Sequence, residues 1–283
     1  MSQERVLFDI PGPRARAVNN TVSVVGVLLV VAVIVWIVLR LQDADQLTAA
    51  KWEPFSYTDI QRALLEGMWA TIKAAALGTV LALALGAVLA IGRLSDHKAI
   101  RWLSTLIVEV FRALPLLLLI FFAFYLGEGS ISPYMAVVIG LTLYNGSVLA
   151  EVFRAGILAL PKGQSEAAYA LGLRKNQVMR LILIPQSVRA MLPSIVAQIV
   201  VLLKDSSLGF IIAYPELLRS VQQIGSQYFN LLPTFIVGAT LYIAINLTVA
   251  GIAKLLEIRT RRSKSGIGPV KIDEQALLET NKA

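Results

Sequence analysis

Long apolar runs without a charged residue constrain this chain more than any other feature of its sequence. Residues 21–39, 129–150 and 220–253 contain no lysine, arginine, aspartate or glutamate. A transmembrane helix needs about 20 predominantly apolar residues, whereas a surface helix of a soluble domain carries only an apolar stripe. The composition agrees, since 57% of the residues are hydrophobic and 16% are charged. The sequence therefore predicts an all-α, polytopic membrane protein.

Several classes of function are excluded by the residue types that the sequence lacks. It has no cysteine and a single histidine, His97, which rules out disulfides, thiolate metal sites and histidine-rich metal sites. We therefore expect no metal and no cofactor. The net charge of +8 fits basic loops that face anionic lipid, so we expect contacts with membrane lipid and none with nucleic acid.

Six membrane spans are predicted from the apolar stretches. Residues 220–231 are assigned to an outer loop or a re-entrant piece, because 220–253 is too long for one helix. Most loop lysines and arginines fall on one side of the membrane, which predicts that both termini are cytoplasmic. The predicted spans are 21–39, 67–92, 103–126, 129–150, 191–213 and 232–256.

The loop between the fourth and fifth spans carries a spaced motif. Ser165 is expected to cap a short helix with Glu166 in its first turn. Gly172 is expected to end this helix in a left-handed conformation, and a second basic helix should run over 174–185. The alternative is a plain linker with an alanine-rich turn. The residues of the motif are Glu166, Ala167, Ala168, Gly172, Ile182 and Pro185.

This motif and four further stretches carry a resemblance to a known family. The five stretches are 67–73 (GMWATIK), 109–116 (EVFRALPL), 151–156 (EVFRAG), 161–168 (PKGQSEAA) and 204–208 (KDSSL). With them the chain resembles the membrane subunits of ATP-binding-cassette (ABC) importers. Among these it is most similar to the polar amino acid permeases of the histidine, glutamine, arginine and glutamate type, and most of all to a glutamate permease. The resemblance covers about residues 63–257.

The resemblance implies a passive pathway subunit in the bacterial plasma membrane. Its fold would be the five-helix core of a type I importer plus one extra N-terminal helix. Its partners would be a second permease subunit, in a homodimer or heterodimer, two cytoplasmic ATPase subunits, an extracytoplasmic substrate-binding protein and the amino acid itself. We expect the chain not to be an enzyme, since it contains no Gly-x-x-x-x-Gly-Lys-Ser/Thr phosphate loop.

The expected organisation follows from the spans and the resemblance. We predict a transmembrane permease domain that contains a loop coupling transport to the ATPases. The segment 21–40 is expected to be a retained anchor, because its apolar run is longer than that of a signal peptide. The predicted boundaries are 1–20 for a cytoplasmic tail, 21–40 for the anchor, 41–66 for an extracytoplasmic loop, 67–257 for the permease domain, 155–187 for its coupling loop and 258–283 for a basic cytoplasmic tail.

Polar residues in the fourth and fifth spans are the candidate substrate pathway. An ionisable group near the bilayer centre costs roughly 2.5–3.5 kcal/mol on insertion scales, so it pairs with another group or faces a polar cavity. Adjacent helical residues such as Lys204 and Asp205 point about 100° apart and need separate partners. The alternative is a structural network between helices. The candidate pathway residues are Tyr144, Asn145, Ser147, Lys204, Asp205, Ser206 and Ser207.

Other intramembrane residues are candidates for a gate or a brace. Glu109 and Arg112 share one helical face, and so do Glu151 and Arg154, so each pair can form a local ion pair. A proline in a helix breaks the backbone ladder and frees a carbonyl, which can serve a gate or only a bend. The candidates are Lys73, Glu109, Arg112, Pro115, Glu151 and Arg154.

Three classes of function remain open at this point. The leading prediction is the permease subunit of an ATP-driven importer of polar amino acids, with glutamate as the first substrate. The second is an ion-coupled secondary transporter that uses Asp205 or Glu109 as its coupling site, although we find no internal inverted repeat of the kind typical of that class. The third is a structural or assembly protein, which has no need for charges in three different spans.

Overall fold

The computed structural model describes residues 12–127 and 129–262, and throughout these ranges the regular structure is helical. Parts of the two predicted tails, 1–11 and 263–283, lie outside the described residues. A 3₁₀ turn covers Glu53–Ser56, a π-helical segment covers Met179–Leu183, and a second 3₁₀ segment covers Ser206–Ile212. The α-helices are α1 Pro13–Asp43, α2 Ala49–Trp52, α3 Thr58–Arg93, α4 Lys98–Ala113, α5 Leu116–Leu126, α6 Pro133–Leu158, α7 Lys162–Ala170, α8 Lys175–Val178, α9 Ile184–Asp205, α10 Leu217–Gln227 and α11 Leu231–Arg262.

Five helical segments are long and apolar enough to cross a membrane, and a sixth is obtained if the bent pair α4 and α5 counts as one span. The all-α membrane architecture predicted from the sequence is confirmed, whereas the exact count of six spans stays a prediction. Helix α3 begins at Thr58, so the segment between α1 and α3 is shorter than the predicted loop 41–66. The five segments are 14–43, 58–93, 133–158, 175–212 and 231–252.

The predicted third span, 103–126, is broken at Pro115. Helices α4 and α5 meet at an angle of 100° instead of forming one kinked helix. Leu114 is extended (φ −81°, ψ 133°) and Pro115 occupies the N-cap position of α5. A proline ring disfavours helical geometry in the residue before it and supplies no backbone donor, so the chain turns at this point. Pro115 therefore ends one helix and begins another.

Small residues bring α3 and α6 into close contact. A Cβ atom on Gly86 would lie 3.0 Å from the Gly146 carbonyl oxygen, and one on Gly146 would lie 3.0 Å from the Leu85 side chain. Ile120, Leu141 and Leu202 are fully buried beside this helix pair. Close approach at small residues is the usual way in which helices associate in a bilayer, where the hydrophobic effect does not drive their contact. This packing fixes the position of α6 and of the polar residues that it carries.

Helix α1 extends away from this core. Its described side chains are exposed, except for the partly buried Leu41, and a helix that is apolar on all sides suits a lipid environment. The segment that follows α1 is attached to the core by two long-range hydrogen bonds. The Lys51 ammonium donates to the Phe229 carbonyl at 2.7 Å, and Asn230 Nδ2 donates to the Lys51 carbonyl at 3.0 Å.

Reporter fusions test the predicted orientation of the chain. Fusions at Gln42 and Gln223 are expected to report an external location, and fusions at Lys98 and Lys175 an internal one, because the basic loops stay on the cytoplasmic side. The measurement compares alkaline phosphatase, which is active only outside, with a fluorescent protein that matures only inside. An external position of Lys175 would contradict the assignment of its loop to the cytoplasmic side.

Candidate functional site

The motif loop forms the short helix α7, which begins earlier than predicted. Pro161 is at its N-cap position, and no side chain caps the helix. The Ser165 hydroxyl lies inside α7 and donates to the Lys162 carbonyl at 2.8 Å, so the prediction that Ser165 caps the helix is wrong. Proline suits the start of a helix because its fixed φ matches helical geometry and its missing donor is not needed there. Glu166 consequently lies in the second turn of α7.

Gly172 follows α7 in the left-handed conformation, with φ of +80°. The amide of Gly172 donates to the Tyr169 carbonyl at 2.9 Å, and the Leu173 amide donates to the Ala168 carbonyl at 3.2 Å. These bonds satisfy carbonyl groups that the end of a helix leaves open. A Cβ atom on Gly172 would meet nothing within 4 Å. The backbone conformation, rather than packing, therefore requires glycine here.

The second helix of the loop does not end at Pro185 as predicted. Helix α8 begins at Lys175, and the π-helical segment joins it to α9, which begins at Ile184. Pro185 is the second residue of α9 and directly follows the π-helical segment, in which the regular α-helical hydrogen-bond pattern is interrupted. Ile182 is partly buried and Pro185 is exposed. The loop is therefore connected to the fifth predicted span by continuous helix.

One face of α7 is open and the other packs inward. Ala168 is buried, whereas Glu166 and Ala167 are exposed. The apolar side chain of Leu171 is 82% exposed, and Tyr169 is 49% exposed. Exposed large apolar side chains beside a charged residue are typical of a protein interaction surface.

A buried polar group joins α6 and α9 at the predicted pathway. Asn145 is fully buried, and its Oδ1 atom accepts a hydrogen bond from Gln198 Nε2 at 2.6 Å. The half-buried Asp205 carboxylate lies beside the Asn145 amide. The Asn145 Nδ2 atom forms no hydrogen bond of normal geometry within the part of the chain that the structure describes. Gln198 was missed in the sequence because one uncharged polar residue in an apolar span carries little signal.

Two serines of the candidate pathway, Ser147 and Ser206, face the protein interior. Ser147 and Ser206 are fully buried. Their hydroxyls donate to carbonyls of their own chain segments, to Leu143 at 2.8 Å and to Leu203 at 2.7 Å. Both hydroxyls are therefore satisfied locally and closed to solvent in this conformation. Tyr144 is only partly buried.

Lys204 and Ser207 face a different space from Asp205, as the angle between adjacent helical positions requires. They line a groove of about 510 Å³ together with Tyr242 and Asn246 of α11. Behind this groove, the Tyr242 hydroxyl donates to the buried Glu216 carboxylate at 2.6 Å. The candidate pathway residues thus form two groups, one around Asn145 and Asp205 and one around Lys204.

The ion pair predicted between Glu109 and Arg112 is not formed. Arg93, at the end of α3, reaches both Glu109 Oε1 at 3.4 Å and Glu151 Oε2 at 2.7 Å. The expected pair of Glu151 with Arg154 is present at 2.6 Å. Glu109 therefore pairs with Arg93 of another helix instead of with Arg112 of its own. The Arg93 side chain is only 9% exposed and needs nearby negative charge. Arg93 therefore connects α3 to α4 and α6.

Lys73, one of the candidates for a gate or a brace, contacts an aromatic ring of α6. The Lys73 ammonium lies 4.8 Å from the centroid of the Tyr134 ring, a cation–π contact. Within residues 12–127 and 129–262, the structure shows no cluster of three or more histidine, aspartate or glutamate side chains that could hold a metal ion.

The contact of Lys175 with the turn after α3 was also missed. Its ammonium donates to the Leu94 carbonyl at 3.0 Å and binds the Asp96 carboxylate. The Lys175 hydrogen bond is the main cause that holds the pKa of Asp96 below its usual value, so this carboxyl group is ionised at neutral pH. The partners are 79 and 81 residues apart in the chain, and no local pattern in the sequence indicates such a contact.

Comparison with protein families and with characterised relatives places the chain among transport proteins. Residues 82–262 match the family model described as binding-protein-dependent transport system inner membrane component. The chain is 42% identical to the glutamate transport system permease protein GluD of Corynebacterium glutamicum, over 83% of this chain and 89% of that protein. It is 36% identical to the probable glutamine ABC transporter permease protein GlnP of Bacillus subtilis, over 69% of this chain and 93% of that protein.

Solved structures give the same picture of the fold. The crystal structure of an amino acid ABC transporter with histidines matches with a TM-score of 0.67 at 28% identity, covering 72% of this chain and 97% of that one. The MetNI methionine ABC transporter in an inward-facing conformation matches with a TM-score of 0.56 at 20% identity, covering 73% of this chain and 98% of that one. The second match concerns the fold alone.

Proposed function

The chain belongs to the family of inner membrane components of binding-protein-dependent transport systems, and from this premise we propose that it carries glutamate across the bacterial plasma membrane as a permease subunit of an ABC importer. The proposal rests above all on the similarity to a glutamate transport system permease over 83% of the chain. The assembled importer contains a second permease subunit, two cytoplasmic ATPases and an extracytoplasmic binding protein. ATP hydrolysis takes place in the ATPase subunits.

The loop 155–187 couples the ATPases to the membrane helices in this proposal. The exposed face of α7, with Glu166, Tyr169 and Leu171, supports this role because it offers apolar area and a charge to a partner. The left-handed Gly172 fixes the angle between α7 and α8. Continuous helix from Lys175 into α9 supports a direct connection from the loop to the candidate pathway.

The two polar groups face different spaces and offer separate sites, one for an ammonium group and one for a carboxylate. The Asp205 carboxylate, with the Asn145 amide beside it, accepts hydrogen bonds from an ammonium group. The Lys204 ammonium, in its groove with Ser207, donates to a carboxylate. A substrate with a second carboxylate benefits further from Lys204, because charge-assisted hydrogen bonds are stronger than neutral ones. Glutamate is therefore the first substrate to test.

Uptake by the reconstituted complex tests this function. Proteoliposomes that contain this chain, its partner subunits and internal ATP should accumulate labelled glutamate only when the binding protein is present outside. Unlabelled glutamate should compete better than glutamine, arginine or histidine. Glutamate uptake that persists without ATP and stops with an uncoupler would instead show an ion-coupled transporter that uses Asp205 or Glu109.

Cysteine labelling tests which candidate residues reach the pathway. The natural chain contains no cysteine, so single cysteines give an unambiguous signal. Cysteines at Tyr144, Asp205 and Ser207 are expected to react with a hydrophilic thiol reagent and to be protected by glutamate, because these positions are at least partly exposed. The buried positions of Ser147 and Ser206 should be inert in the resting complex. Inert cysteines at all five positions, at rest and with ATP trapped, would indicate a dry structural network.

A further inference from the structure

The turn between α3 and α4 is held from two sides by charged side chains. On the membrane side, Arg93 pairs with Glu109 of α4 and Glu151 of α6. On the loop side, Lys175 of α8 binds the Leu94 carbonyl and the Asp96 carboxylate. Only two residues, Leu94 and Ser95, lie between Arg93 and Asp96. A displacement of α8 therefore reaches α4 and α6 through a very short stretch of chain.

The position of Lys175 within its own helix does not explain its presence. It is the first residue of α8, where the helix dipole favours an acidic side chain and disfavours a basic one. Its ammonium instead reaches the carbonyl of Leu94, the C-cap residue of α3. Cations are favoured at the C-terminal end of a helix, where carbonyl groups lack partners. The favourable interaction of the ammonium with the C-terminal end of α3 thus offsets its unfavourable position at the start of α8.

The contact is too exposed to contribute much to the stability of the fold. The Asp96 side chain is 78% exposed and the Lys175 side chain is 40% exposed, and exposed ion pairs are weakened by solvent and salt. Its geometry is nevertheless well defined, because one ammonium binds two acceptors on the same turn. Removal of the contact is therefore expected to alter how the loop moves the helices, rather than whether the chain folds.

We propose that Lys175 is a positioning residue that joins the coupling loop rigidly to the α3–α4 turn, so that a movement of α8 displaces α4 and α6 through Arg93. This inference rests on the proposed role of the loop 155–187 in ATPase coupling. It adds a second connection between loop and membrane helices, besides the helical continuity of α8 with α9. The link stays closed throughout the transport cycle.

Substitution of Lys175 in the full complex tests the link. Lys175→Met keeps the length of the side chain but removes the charge, and it should lower the amount of glutamate transported per ATP hydrolysed by roughly 2- to 5-fold, the range that an exposed ion pair can supply. Lys175→Arg should remain close to the wild type. Lys98→Met is the matched control, since Lys98 begins α4 beside the same turn and the structure shows no ion pair of its exposed side chain with any described residue.

Cross-linking separates a rigid link from a structural contact. The double variant Asp96→Cys with Lys175→Cys should transport poorly before treatment, and a short bifunctional thiol reagent should restore the transport of glutamate per ATP. Since the natural chain has no cysteine, the same reagent has no target in the wild-type form of this subunit, and the complex with the wild-type subunit controls for reaction with its partners. Loss of transport on cross-linking while ATP hydrolysis continues would overturn the proposal, because the contact would then have to open in each cycle.

The outcomes also separate this inference from the proposed function. A wild-type transport ratio in Lys175→Met, together with uncoupling in a Gly172 variant, would overturn the link but leave the coupling loop in place. Wild-type ratios in both variants, with the ATPases still bound, would overturn the role of the loop itself.

Discussion

Gly172→Val is expected to uncouple glutamate transport from ATP hydrolysis while the complex stays assembled. Gly172 has φ of +80°, and a β-branched residue is strongly disfavoured in this conformation. Backbone strain of this kind costs about 1–3 kcal/mol, which corresponds to a loss of coupled transport of roughly 5- to 150-fold if the loop relieves the strain by changing the angle between α7 and α8. Glutamate uptake and ATP hydrolysis measured on the same proteoliposomes give the ratio directly.

Two variants control for effects other than backbone conformation. Asparagine tolerates the left-handed region better than other non-glycine residues, so Gly172→Asn should keep most of the transport. Gly163 lies in α7 with open space around it and no positive φ, so Gly163→Ala should transport normally. Normal coupling in Gly172→Val, with the ATPases bound, would show that the loop is only a linker.

The sequence predicted the class of fold well because a bilayer imposes a simple requirement. Uncharged runs such as 129–150 are long enough to span the hydrocarbon core, and the structure places α6 there. A bend at Pro115 was predicted, but the 100° angle between α4 and α5 was not, since a proline in a membrane helix can either kink it or end it. The choice depends on how the neighbouring helices satisfy the freed backbone groups. That information is not local in the sequence.

The sequence predicted those features of the candidate site that depend on the conformation of a single residue. The positive φ of Gly172 was anticipated from its spacing after the alanine-rich helix. The pair of Glu151 with Arg154 was anticipated. The partners of Arg93 and Lys175 were not, because they lie on other helices or in the turn between α3 and α4. Pairing rules for positions three or four apart describe an isolated helix, and they are overruled when a buried charge meets a closer partner from elsewhere in the fold.

Asp205→Asn is expected to reduce glutamate uptake more than any substitution at a neighbouring uncharged residue. The change keeps the size of the side chain and its position beside Asn145, but it removes the charge that attracts the substrate ammonium. A hydrogen bond to a charged group contributes about 1.5–3 kcal/mol, so a loss of roughly 10- to 150-fold in uptake is expected at low glutamate concentration. The basal ATPase activity, measured without the binding protein, should stay at the wild-type level.

The matching substitution on the other side of α9 gives the complementary result. Lys204→Met removes the positive charge of the groove that it shares with Ser207, so glutamate uptake should fall while glutamine, which lacks the side-chain charge, is affected less. Thr142→Ala is the control, because the Thr142 hydroxyl donates only to the Val138 carbonyl of its own helix, at 2.7 Å. Equal losses for glutamate and glutamine in Lys204→Met would argue against recognition of the substrate's side-chain carboxylate by Lys204. If Asp205→Asn also transports normally, the polar groups of α6 and α9 hold the helices together and the substrate passes elsewhere.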